Sequence, residues 1–329
     1  MHLEKGSYPR PAALPPQATL DPALPGYDPG PERQAWLRCV VSETTVQVVE
    51  RLIFRFRLYH PEIRIDTFVG GSTATSDAFA GRWADLAVIA RELRPDENEV
   101  ARRALGRPPA RIPIAGGSHR TPGYTDTVVV VTHPDVPVTG LTIAALRRIF
   151  GDEADPPIDT WAQLIPDADL PIHRWAPALS NGFGNFFREH VLGSVPFGPA
   201  VHLMDRVNAV ADAVGNTPGG VGVTGLGHTC GQVRVLAIGE LPDRLTAPTF
   251  DNVLARRYPL SRSIYLYSSK LRSVGAGPAV LEFLRFVLSA EGQQCVVDDG
   301  IFLPAGAAGA RAAWEMATGP RPAAVSRPA

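Results

Sequence analysis

Two short turns constrain this chain more than any other feature. Ser42-Glu43-Thr44-Thr45 and Gly70-Gly71-Ser72-Thr73 each follow an apolar run and open a stretch whose apolar residues recur at helical spacing. A strand, a tight turn and a helix, repeated, is the order of an α/β layer. The helix must cross back over the sheet before the next strand can pair in parallel. The spacing predicts strands over 36–41, 63–69 and 85–89, a helix over 46–59 and a second helix running through Gly81.

At 329 residues the chain is long enough for two domains. Two further apolar runs, 127–132 and 263–267, read as crossings between lobes, and the segment between them carries its own helix and strand signals. Lobe one is therefore expected to be discontinuous, 33–125 plus 263–313, with the helix 278–289 returning to it. Lobe two is expected over 126–262. Residues 1–32, with Pro9, Pro11, Pro15, Pro16 and four more prolines, read as an extended leader or linker, and 314–329 as a flexible tail.

Composition removes several classes. A net charge of -1 offers no global field for nucleic acid or an acidic membrane, so any anion site must be local. Cys39, Cys230 and Cys295 are far apart with no paired spacing, which indicates neither a zinc site nor a disulfide framework and leaves one bridge open. No metal or cofactor motif is present, whether Walker loop or dinucleotide fingerprint. The basic residues are nearly all arginine, a bias that reads as base composition before function. Ser42, Asp126 and scattered histidines do not set up a nucleophile with a base, so no enzyme is expected. No apolar run is long enough to span a membrane, and no secretory leader is visible.

What the turns offer is free backbone N–H at a helix start beside hydroxyls, an arrangement that holds an anion without lysine or arginine. Taken singly, Ser42 and Ser72 read at least as well as plain helix caps. Two such turns at the carboxyl ends of strands in one layer favour a ligand. A third, Ser180-Asn181-Gly182-Phe183-Gly184, stands before a helix expected over 185–192 and would face them across a cleft. The candidate ligand-binding residues are Ser42, Thr44, Thr45, Gly71, Ser72, Thr73, Arg91, Arg174, Ser180, Asn181 and Gly182.

Four stretches carry a family likeness. They are Leu37-Arg-Cys-Val-Val-Ser-Glu-Thr-Thr, Phe54-Arg-Phe-Arg-Leu-Tyr-His-Pro-Glu, Pro218-Gly-Gly-Val-Gly-Val-Thr-Gly and Tyr258-Pro-Leu-Ser-Arg-Ser-Ile-Tyr. With the matching order of the segments between them, the chain resembles phosphate ABC transporter substrate-binding proteins over about residues 36 to 305. The resemblance implies the type 2 periplasmic binding protein fold: two α/β lobes, each a mixed sheet flanked by helices, joined by two crossing hinge strands. It implies a small oxyanion, with phosphate foremost, held by hydroxyls and helix-start amides. It also implies a periplasmic or cell-surface monomer serving an ABC transporter permease. By position, Thr44 and Ser72 match family ligand contacts and Thr45 would offer its backbone N–H.

The pattern departs from the family at Val41, Ala90 and Phe183, and Pro177 stands where the family has an arginine. Arg174 and Arg91 are the expected substitutes for that charge. A decayed cleft filled by Phe183, in a sensor or interaction protein, is the alternative expectation.

Overall fold

The computed structural model describes residues 16–31, 34–81, 83–152, 156–229, 231–268 and 277–318, without the side chains of Ser72, Ala74 and Phe79. In chain order the first layer contains β1 (Ala35–Ser42), α1 (Val46–Phe56), β2 (Ile63–Gly70), α2 (Ser72–Ala80), β3 (Leu86–Ile89), α3 (Pro95–Leu105) and β4 (Ala110–Gly116). The second contains β5 (Val128–Thr132), β6 (Gly140–Thr142), α4 (Ile143–Phe150), β7 (His173–Pro177), α5 (Gly182–His190), β8 (Val201–Met204), α6 (Val207–Gly215), β9 (Gly220–Gly225), β10 (Arg234–Val235), β11 (Ala237–Gly239) and α7 (Phe250–Leu254). The chain then returns through β12 (Ser263–Ser268), α8 (Pro278–Val287), α9 (Ala290–Asp299) and α10 (Ala307–Thr318).

Two five-stranded mixed sheets result. The first runs β2-β1-β3-β12-β4, with β2, β1 and β3 parallel and β12 antiparallel to both its neighbours. The second runs β10-β5-β9-β7-β8. Their inner strands explain the unbroken apolar runs in the sequence. Leu86–Ile89 and Val128 through Val131 are buried at every position, as strands covered on both faces must be. Each sheet has its own core: Phe56, Ile63, Leu86, Leu266, Phe283 and Phe286 in one, Phe150, Trp161, Phe187, Val210 and Val221 in the other. Two self-sufficient cores joined by two chain crossings give the hinged, two-lobed α/β form.

Both crossings contain a non-glycine residue in the left-handed region, Thr125 (φ 57°) and Arg256 (φ 57°). A β-branched residue there is strained, and it is held because the Thr125 hydroxyl donates to the Ala90 carbonyl at 2.7 Å.

The ends of the chain differ from a simple tether and tail. Leu24 and Tyr27 are buried in the first core, and the Tyr27 hydroxyl lies 2.7 Å from His60 Nε2, so part of the leader is a packed element of lobe one. Composition alone hid this, because two apolar anchors among many prolines carry no periodicity. Residues 314–318 belong to α10, whose Ala313 and Ala317 are buried, while residues 1–15, 32–33 and 319–329 lie outside the described residues. Cys39 and Cys295 are buried free thiols, and Cys230 lies outside the described residues.

Candidate functional site

The parallel register does much of the positioning. Ser42 pairs with Gly70 and Val41 with Val88, so the turns after β1, β2 and β3 stand side by side at one edge of the first sheet. Across from them, the turn after β7 leads into α5. A cleft between the lobes is lined from the first lobe by Arg91, Glu92, Arg94, Ser263 and Tyr265, from the second by Leu179 through Gly182, Asn185 and Phe186, and at the second crossing by Arg262.

α5 begins at Gly182, two residues into the expected glycine turn. Asn181 is its N-cap and accepts from the Phe183 amide at 2.9 Å. Gly184 has a packing reason: a Cβ there would sit 2.2 Å from the Pro177 carbonyl oxygen, so only glycine lets the helix start abut the end of β7. The first amides of a helix have no acceptor within it; in α5 the Asn181 side chain takes that of Phe183, and Gly182 lines the cleft beside Ser180 and Asn181.

Arg262 is the central charge. It is 8% exposed, and no carboxylate among the described residues comes within ion-pair distance of it. Its guanidinium lies 4.8 Å from the centre of the Phe183 ring and 5.7 Å from that of Phe186. A Cβ on Gly182 would come within 3.2 Å of its Nη2, which places the guanidinium directly at the α5 N-terminus. Burial pushes the guanidinium below its ordinary value, with Asp126 the largest opposing influence. Asp126 is itself fully buried in the first crossing. Its Oδ2 accepts from the Gly227 amide at 3.1 Å, its Oδ1 has no partner, and burial pushes its carboxyl up to about 6.

The lobe-one arginines are already engaged. Arg91 donates both terminal nitrogens to Glu97 at 2.7 Å each, and Arg94 reaches the same carboxylate at 2.9 Å. Glu97 also accepts the Arg94 amide at 2.8 Å, which caps α3. One carboxylate thus holds two guanidiniums at the cleft wall. Burial alone would raise Glu97, but Arg91 and the cap bond hold it below the usual range.

Of the residues proposed from sequence, Arg91, Ser180, Asn181 and Gly182 line this cleft. Ser42, Thr44, Thr45, Gly71 and Thr73 stand at the adjoining sheet edge without lining it. Ser42 and Thr45 are buried with their hydroxyls 3.2 Å apart, and Thr45 donates to the Ser42 carbonyl at 2.9 Å. Thr73 comes nearest, through a 3.5 Å contact with Arg94. Ser72 opens α2, but its side chain lies outside the described residues. Arg174 points elsewhere: its guanidinium donates to the carbonyls of Ile149 and Ile158 and to Asp159, which spends it on lobe two. Phe183 does not fill the cleft. It is buried in the second core and serves as a platform for Arg262.

Sequence reasoning missed Arg262, Arg94 and Glu92. A usable signal existed for the first, since an arginine immediately before a crossing strand must lie where the lobes meet.

These features define a two-lobed α/β protein with a polar cleft at the hinge. Residues 26–291 match the family model of the PBP superfamily domain, and the chain belongs to that superfamily. It is 28% identical over 299 residues to the phosphate-binding protein PstS of Pseudomonas aeruginosa, covering 88% of this chain and 89% of that one. It is 25% identical over 289 residues to protein SphX of Synechococcus elongatus, covering 86% and 82%. The crystal structure of PstS from Borrelia burgdorferi superposes with a TM-score of 0.55 at 19% identity, covering 82% of this chain and 99% of that one. An ABC-type phosphate transport receptor from Vibrio cholerae gives 0.53 at 20%, covering 82% and 100%. The structural matches establish the type 2 periplasmic binding protein fold.

Proposed function

We propose that this chain is an extracytoplasmic solute-binding protein that captures phosphate, or a closely related oxyanion, between its lobes and delivers it as a monomer to an ABC transporter permease. One observation carries the reading: a buried arginine without an ion-pair partner among the described residues stands over the N-terminus of α5 inside the interlobe cleft. A desolvated cation that the protein leaves uncompensated is costly, and an anion seated against it and the helix amides removes that cost. The relatives' names supply the choice of phosphate.

In this reading Arg262 takes over from the second crossing the charge that the family's arginine supplies from the position of Pro177. Gly182 donates its amide, and Ser180 and Asn181 complete the rim. Arg94, whose Nη1 faces the Thr73 hydroxyl at 3.5 Å while Nη2 holds Glu97, closes from the other lobe. In this reading capture and release are the whole cycle.

The test is a calorimetric phosphate titration of the full chain and of Arg262→Ala. A charge-assisted hydrogen bond is worth about 1.5–3 kcal/mol, so the variant should bind roughly 10- to 100-fold more weakly. Absence of binding at millimolar phosphate, or equal affinity in the variant, sinks the reading.

A further inference from the structure

Beside the anion cleft the two lobes touch through a second set of polar groups. Glu92, at the end of the turn after β3, faces Glu189 and His190 at the C-terminal end of α5. One ligand-capable atom from each lies within 4.8 Å of the others. The histidine Nε2 is 2.7 Å from Glu92 Oε2.

The three groups are held by partners that leave ligand atoms available. Glu92 Oε1 accepts from the Tyr265 hydroxyl at 2.9 Å and lies 3.2 Å from Arg111, which leaves Oε2 toward His190. Glu189 Oε1 accepts from the Asn185 amide at 3.0 Å. The His190 ring stacks on Phe186 at 4.2 Å with 30° between planes, which fixes its orientation. Outer hydrogen bonds of this kind set the direction and basicity of metal-binding side chains. The Glu92 carboxylate is almost wholly buried, and an open groove lined by Asn98, Pro108 and Ser194 provides entry from solvent.

We propose that Glu92, Glu189 and His190 form a transition-metal site that spans the two lobes, with Zn2+ as the fitting ion. An imidazole with two carboxylates suits zinc far better than magnesium or calcium, which prefer all-oxygen sets. Two carboxylates and a neutral imidazole cancel the charge of the ion. Ligand atoms at about 2.0–2.2 Å from one ion are separated by about 3.3 Å, so the present spacing closes with small side-chain adjustments. Because one ligand comes from lobe one and two from lobe two, the ion ties the lobes together independently of the anion.

The experiment titrates ZnCl2 into the full, phosphate-free chain by calorimetry, with Co2+ replacing Zn2+ in a parallel visible-absorption titration. The expected result is saturable one-to-one binding that Mg2+ does not compete for, with a Co2+ spectrum of low coordination number. Glu189→Gln and His190→Ala, neither of which lines the anion cleft, should each weaken binding at least ~10-fold. Glu189→Gln is isosteric and half-buried, so its folding is readily confirmed by its thermal midpoint in EDTA. No saturable binding, or binding unchanged in both variants and therefore adventitious, overturns the proposal. Either outcome is read without phosphate, so it leaves the anion reading where it stands.

Discussion

Arg262 and Asp126 are two buried, opposite charges that attract each other without coming within ion-pair distance, and for each the cost of burial outweighs that attraction. The Asp126 carboxyl ordinarily titrates at 3.8 and is raised to about 6 by burial. Between those values the native protein keeps a proton that the unfolded chain releases. Asp126 therefore favours the fold most below about pH 4, and that contribution is lost as pH rises through about 6. Asp126→Asn mimics the protonated group and retains an acceptor for Gly227. It should be more stable than the wild type near pH 7.5 by at most ~3 kcal/mol, and level with it near pH 4. Urea denaturation at the two pH values decides this. A variant less stable near neutrality would mean that the attraction between Asp126 and Arg262 outweighs the burial cost.

At the scale of elements, the start of α5 separates packing from binding through two neighbouring glycines. A methyl group at Gly184 would strike the backbone oxygens of Pro177 and Ala178, at 2.2 and 2.6 Å, and backbone cannot step aside. Gly184→Ala should cost about 1–3 kcal/mol of stability and weaken phosphate binding by moving the helix start. At Gly182 the only atom met is Nη2 of Arg262 at 3.2 Å, the far end of a flexible side chain. Gly182→Ala should leave the thermal midpoint within a degree or two and lower affinity alone. If the two variants lose stability equally, the distinction between wall and binding surface is wrong.

For the whole molecule, the cleft places cations on both sides of a hinge whose crossings are strained at Thr125 and Arg256. An anion that contacts Arg94 on one side of the hinge and Arg262 with the Gly182 amide on the other lowers the energy of the closed form alone, so it shifts the population toward closure. Small-angle scattering should give a smaller radius of gyration at saturating phosphate than in its absence, and Arg262→Ala should show no contraction at the same concentration. An unchanged radius when calorimetry reports saturation would place the ligand somewhere that does not bridge the lobes.

The layers, the first three strands of the first sheet and the place of its turns were legible in the chain because they follow from local patterning: β-branched runs buried on both faces, caps, and glycines where backbones meet. The third turn was legible for the same reason, although α5 starts earlier than its periodicity suggests, since Gly182 and Gly184 carry no apolar signal. Which arginine faces the ligand was not legible. Arg91, Arg174 and Arg262 are chemically alike, and only the folded arrangement decides that Arg174 is spent on carbonyls of its own lobe, Arg91 on Glu97, and that Arg262 rests on the rings of Phe183 and Phe186 with no described carboxylate at ion-pair distance. Burial of the leader at Leu24 and Tyr27, and the meeting of Glu92 with His190 across the lobes, depend likewise on segments 33 to 255 residues apart coming together, and no local pattern encodes such a contact.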